Sequence, residues 1–447
     1  MKPEYLDLAA EIARKAKAMG ADQCDCFVET GREMSIRVRS GEVESIERAH
    51  FRGLGIRFFS ANRLGFGFTT DFSARSLEDL LGQCRAFALA ATPDPDSGMP
   101  EPVPIPPGDL DINDPSIDDR PLVEKTDFVL ACEAAAFASD KRIKHAYSTT
   151  YEEQHGRVII ARPGSEPLFY DATSFEIFCA PVAEEGVQKR MGVWVSGARF
   201  FSDLEPAEVV GQIAATRALS LLGATTMKTS KASVVFDSLT GSEVVAEIFN
   251  ALDGERVQRG MSFLKDRLGG KIASDTATFV DDGRMPRKMG SRPFDAEGIP
   301  TKRVVALDKG LLKSYFHDWR SARKAGTSPS GNARRGFASI PRVGENNFYL
   351  IPGSVQRDNL ISGIDRGLLV TRLLGFGVNL TTGDFSRGAE GLWIEKGRID
   401  HPVDGVTIAG NLADMLRGLD GAASDLRFFG RFGSPTFAVR EMTIAGE

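Results

Sequence analysis

A chain of 447 residues is too long for one ordinary core and implies two to four domain-sized units, with two the starting expectation. Its 42% hydrophobic and 26% charged residues suit a globular protein with sizeable cores, and no run reaches the about eighteen apolar residues of a membrane span. A net charge of −6 opposes the counterion exchange that drives non-specific nucleic-acid binding, so neither membrane nor DNA is an expected partner.

Met1-Lys2-Pro3-Glu4 runs straight into apolar positions at helical spacing (Leu6, Ala9, Ile12, Ala16, Met19), without the apolar block of a signal peptide. A cytoplasmic protein with a helix over 4–20 is expected. Alternating runs follow at 24–30, 33–39 and 43–49, the last two joined by Ser40-Gly41. A second pair, 53–60 and 63–70, flanks Ala61-Asn62, and 76–92 reads as a helix. Prolines at 93, 95, 100, 102, 104, 106, 107, 115 and 121 lack the amide hydrogen a ladder needs, so the segment of about 93–121 is a linker or an extended crossing arm. A helix over 122–139, strand patterns over 142–198 and a helix over 206–222 complete a first unit, 1–223. The second, 224–447, opens on an apolar strand at 232–237 and then alternates strands with short helices. Asp308-Lys309-Gly310 and Glu395-Lys396-Gly397 have the chemistry of tight reversals between strands. The predicted class is α+β: antiparallel and mixed curved sheets with helices, in two units.

Five cysteines (24, 26, 84, 132, 179) are an odd, scattered set, so reduced thiols are expected. Cys24-x-Cys26 puts two thiols on one strand face, and without a second Cys or His cluster nearby packing outweighs metal binding. The histidines at 50, 145, 155, 317 and 401 form no metal-binding pair. His317, beside Asp318, has a carboxylate close in sequence, and for it a hydrogen-bonded structural role outweighs a catalytic one. No Gly-x-Ser-x-Gly elbow supports a Ser-His-Asp triad, although triad members need only meet in space. The polar loop 326–336 ends in Arg334 and Arg335. These are either guanidinium forks for a carboxylate or peptide carbonyls, or part of a solvated surface loop that contributes little to stability.

Ser262-Phe263-Leu264-Lys265-Asp266, Val280-Asp281-Asp282, Gly290-Ser291-Arg292-Pro293-Phe294-Asp295, Asp318-Trp319-Arg320-Ser321-Ala322-Arg323, Gly383-Asp384-Phe385-Ser386-Arg387-Gly388-Ala389 and Ile408-Ala409-Gly410-Asn411-Leu412 occur in that order. As an ordered set they resemble the TldE (PmbA) branch of the TldD/PmbA family, over nearly the whole chain. The resemblance implies an assembly of two related subunits that degrades unfolded polypeptides and trims peptide precursors, with zinc held by the TldD-type partner. Three protein ligands and one open position for water, with a glutamate as base, make such a zinc hydrolase intelligible.

The resemblance places Val245, Ala246 and Asn250 where TldD has its first His, its Glu and its second His, and 425–433 contains no cysteine. It therefore implies no metal and no catalytic residue in this chain. Independently, Val244, Val245, Ile248, Phe249 and Leu252 form a core-facing helical stripe over about 241–252. The resemblance also makes Asn379, Asp384 and Ser386 candidate cleft-lining residues. Their own sequence reads equally as tight turns held by side-chain-to-backbone bonds. The expected function is a non-zinc-binding subunit of a TldD/TldE-type metalloprotease, which forms a homodimer when its partner is absent. Two alternatives stand: an independent hydrolase with a different site, for instance around His317, or a non-proteolytic homodimeric binding protein.

Overall fold

The computed structural model describes residues 4–447. Helix α1 (Glu4–Ala18) buries Ala9, Ile12, Ala13 and Ala16, a stripe at helical spacing, against the first sheet. The chain then runs out as β1 (Gln23–Arg39), back as β2 (Glu42–Ser60) and out again as β3 (Arg63–Thr69). Both reversals are two-residue loops at positive φ: Ser40 and Gly41 at 55° and 79°, Ala61 and Asn62 at 49° and 60°. That turn geometry matches the twist of paired strands. The short runs expected from the sequence are thus fused into unbroken strands of 17 and 19 residues. The reason is pairing on both sides: Gly31, where the alternation lapses, is held between Phe51 of β2 and Gly156 of the later strand β4.

After α2 (Ala74–Ala90), residues 91–114 form neither helix nor strand. They are a crossing arm with Met99, Leu110 and Ile112 buried, and Thr173 N donates to Ile112 O at 3.0 Å. Then come α3 (Leu122–Ser139), β4 (Ile143–Ala161), β5 (Leu168–Glu185), β6 (Gln188–Met191), β7 (Trp194–Ala198) and α4 (Ala207–Leu219). The order helix, strands, helix therefore occurs twice. One sheet, β3-β2-β1-β4-β5-β6 with β7 on β5, carries both sets. Its inward residues Cys24, Cys26 and Val28 pack under α1 and α2.

The remaining chain opens with β8 (Ser230–Phe236), α5 (Ser238–Ala251), α6 (Gly254–Gln258) and β9 (Phe279–Asp282). It continues through β10 (Arg303–Asp308), β11 (Leu311–Leu312), α7 (Trp319–Ala325), β12 (Ala333–Arg334), β13 (Arg342–Val343) and β14 (Phe348–Leu350). The last stretch is α8 (Arg357–Ser362), β15 (Arg366–Leu374), β16 (Val378–Asn379), β17 (Asp384–Glu395), β18 (Arg398–Asn411), α9 (Leu412–Arg417), β19 (Leu419–Ala422), β20 (Arg427–Phe429), β21 (Phe432–Ser434) and β22 (Phe437–Ala445). Because β15 pairs with both β8 and β17, the strands β15-β8-β22-β18-β17 close into a ring. Along β8 the side chains alternate: Val234 and Phe236 enter the main core, and Val235 joins Ile361, Leu369 and Ile394 on the other face. A second sheet, β11-β10-β9-β14-β21-β20, lies alongside, and α5 packs against β14, β15 and β21.

Candidate functional site

Asp237 caps α5, its carboxylate accepting from Thr240 N at 2.8 Å, so the helix starts directly off the end of β8. The stripe Val244, Val245, Ile248, Phe249 and Leu252 is buried, as its spacing predicts, with Val245 at 0% exposure. Phe249 stacks with Phe316 and meets Phe348 and Phe432 edge-on, which fills the space under this side of the helix. The opposite stripe, Glu243, Ala246, Glu247 and Asn250, is half-buried and opens on two concavities. Of the three positions aligned to a zinc helix, Ala246 and Asn250 therefore face open space and Val245 faces the core.

The concavity at Asn250 has a volume of about 510 Å³ and is lined chiefly by charged side chains of α6, β12, β13 and the turn before β21. Arg334 projects into it from β12, and Asn332 holds β12 to β13, donating from Nδ2 to Gly344 O at 3.2 Å. Beneath lies a polar network that sequence reasoning missed. Asp281 is fully buried and accepts from Asn346 N at 2.9 Å and from the amides of Asn332 and Asn346 at 2.8 and 2.9 Å. Burial pushes its carboxyl up to about 6, against the pull of those donors. Asn347 binds Ser291 and Asp282, and a Cβ at Gly290 would stand 2.0 Å from Asn346 O. The motif segments 280–282 and 290–292 are thus joined to the Asn346-Asn347 pair. Those adjacent asparagines were the available signal.

The concavity at Ala246 has a volume of about 650 Å³ and is lined by Asn379 and Asp384, with Glu243 paired to Arg387 at 2.7 Å and Phe376 fully exposed beside them. Asn379 also accepts from Thr381 N, and Asp384 accepts from Thr382 Oγ1 at 2.6 Å, so cleft lining and turn stabilisation coexist in these residues. Ser386 is exposed on β17 and does not line this concavity.

Arg335 departs from both expectations for 326–336, as it is neither a guanidinium open to a substrate carboxylate nor part of a solvated loop. Its side chain is 1% exposed and donates to both oxygens of Asp25, at 3.2 and 2.7 Å. Asp25 also takes three bonds from Arg57, whose Nη1 reaches Glu297 at 3.1 Å. Two carboxylates and two guanidinium groups are therefore buried together where the first sheet meets the later chain. The neighbouring arginines hold the Asp25 carboxyl well below the usual range, while burial pushes Glu297 up. Consecutive arginines thus part company: Arg334 lines a cavity, and Arg335 is sealed by charge pairing that lies about three hundred residues away in sequence.

His317 is buried, with Nδ1 3.2 Å from Ser321 Oγ, and Ser321 Oγ donates to Asp318 at 2.6 Å. These three residue types meet, but Asp318 caps α7 and Ser321 is 2% exposed, so no substrate carbonyl reaches its hydroxyl. Cys24 and Cys26 are buried among apolar neighbours, which pushes their thiols up, Cys24 to about 12. No helix among the described residues is long and apolar enough to cross a membrane.

Family models named for the PmbA/TldA metallopeptidases match in chain order: domain 1 over residues 24–90, the central domain over 115–222 and the C-terminal domain over 229–446. The chain belongs to the PmbA/TldD family. It is 30% identical to the metalloprotease PmbA of Escherichia coli O157:H7, over 99% of this chain and 97% of that one. A metalloprotease TldD homologue of Haemophilus influenzae is 26% identical over 89% of this chain and 84% of its own. The crystal structure of TldE from Thermococcus kodakarensis superposes with a TM-score of 0.89 at 20% identity, over 98% of this chain and 100% of that one, a likeness of fold.

The PmbA/TldD name implies a metal, and this chain's donors do not fit one at α5. Val245 and Ala246 offer no ligand atom, and Asn250 carries an amide rather than an imidazole. Among the described residues, no three His, Cys, Asp or Glu side chains gather as a metal site requires.

Proposed function

We propose that this chain is the non-zinc subunit of a two-subunit protease of the TldD/TldE kind, acting in the cytoplasm on unfolded polypeptides or peptide precursors. In this reading the chemistry occurs on a TldD-type partner that holds the zinc. This chain forms a wall beside the partner's site and self-associates when the partner is absent. The observation that carries it is α5: its open stripe presents Glu243, Ala246, Glu247 and Asn250 to two concavities, and its core stripe seals Val245 in the main core. A wall of this kind has charged and polar groups to hold a chain and no ligand set to cleave it.

Mixing the purified chain with a TldD-type subunit and following mass by light scattering tests the reading. A mixed complex that displaces the self-associated form is expected. A chain that stays monomeric at micromolar concentration, with or without the partner, contradicts it.

A further inference from the structure

The concavity beside Asn250 holds more positive charge than its own carboxylates balance. Arg256, Arg259, Arg334, Arg342 and Arg431 line it against Asp253, Glu255 and Glu345, in a chain whose net charge is −6. Asp253 and Glu255 each hold one arginine of α6 and its end, at 3.6 and 2.5 Å. Glu345 is shared, with Oε1 3.2 Å from Arg431 and 3.7 Å from Arg334. Arg342 is exposed on β13 and pairs with none of these three carboxylates. Burial, with Arg292 and Arg431 nearby, holds the Arg334 guanidinium down at about 9.

The arrangement is built into the backbone. A Cβ at Gly344 would stand 2.5 Å from Arg334 Cδ, so the side chain reaches the cavity only across a glycine. The register of β12 and β13 sets Arg334 opposite Arg342. Phe249, Met261 and Val343 add apolar surface, and the volume of about 510 Å³ admits a peptide segment rather than one small ion.

We propose that this cavity is a subsite for carboxylate-bearing segments of an extended peptide, with Arg334, Arg342 and Arg431 as the guanidinium forks that receive the carboxylates. It rests on the reading that this chain handles peptide substrates. Guanidinium groups suit the task because two parallel N–H donors match the two oxygens of a carboxylate.

The test measures binding by fluorescence anisotropy, at low salt, to the full-length chain. Three labelled unstructured peptides are compared: one rich in Asp and Glu, its Asn/Gln counterpart, and that counterpart with an amidated C-terminus. The acidic peptide is expected to bind about tenfold more tightly than the amidated one, the scale of one good charge-assisted pair. If the Asn/Gln peptide with a free C-terminus already shows that gain, the terminal carboxylate is the group received. Arg342→Glu and, separately, Arg431→Gln should remove the preference, while Arg75→Glu, on α2 outside the cavity, changes affinity less than about twofold. Both cavity positions are partly or fully exposed, so an unchanged melting temperature is expected. Equal binding of all three peptides, or equal losses in the cavity variants and Arg75→Glu, overturns the subsite and leaves the peptide-handling reading standing. Failure of every peptide to bind overturns both.

Discussion

At the scale of single residues, the largest energies lie where charge is buried. Removing Arg335 leaves Asp25 short of one bidentate partner inside the protein, and breaking a buried pair of this kind costs about 3–5 kcal/mol. Arg335→Ala should therefore lower the urea midpoint sharply, with Arg335→Lys recovering part of the loss. An unchanged midpoint would return residues 326–336 to a free surface loop. Asp281 gives a pH signature. Its folded carboxyl sits at about 6, above the ordinary 3.8, so the folded state keeps the proton longer than the unfolded chain. The contribution of Asp281 is full below about pH 4 and is lost as pH rises through 6. The unfolding free energy of the protein minus that of Asp281→Asn should fall by up to about 3 kcal/mol between pH 4 and 7. A difference that stays flat with pH would contradict it. Neither role was readable in sequence, because Arg335 and Asp281 owe their chemistry to partners brought in by folding.

At the scale of elements, α5 was the most readable part of the chain. An apolar stripe at helical spacing predicts its buried face without help, and Glu243, Ala246, Glu247 and Asn250, off that stripe, form the open face. Replacing Val245 by His puts an imidazole into a sealed position and should cost about 1–3 kcal/mol, whereas Ala246→Glu and Asn250→His lie on the open stripe and should each stay within about 0.5 kcal/mol. Thermal melts of the three single variants check this, and a tolerated Val245→His would mean that the helix is rotated from the position described. The hairpins at Ser40-Gly41 and Ala61-Asn62 were also readable, since their turn chemistry is local. Fusion of the short runs into β1 and β2, and closure of the ring through β15, were not. Both depend on which distant strand lies alongside.

For the whole molecule, the proposed function divides labour between two chains: a TldD-type partner would carry the metal, and this one the charged and polar walls. The resemblance was visible as an ordered set of motifs, each weak alone, and the structure joins two of them, 280–282 and 290–292, through the asparagines at 332, 346 and 347. The expectation that most needs measurement is the absence of catalysis in this chain alone. The direct measurement is cleavage of an unfolded peptide by the purified chain, by a TldD-type partner and by the two mixed, with zinc determined on each preparation after dialysis. The proposed division of labour predicts less than stoichiometric zinc and no cleavage for this chain alone, and zinc-dependent cleavage once the partner is added. One tightly held zinc per chain together with peptide cleavage by the chain alone would contradict it.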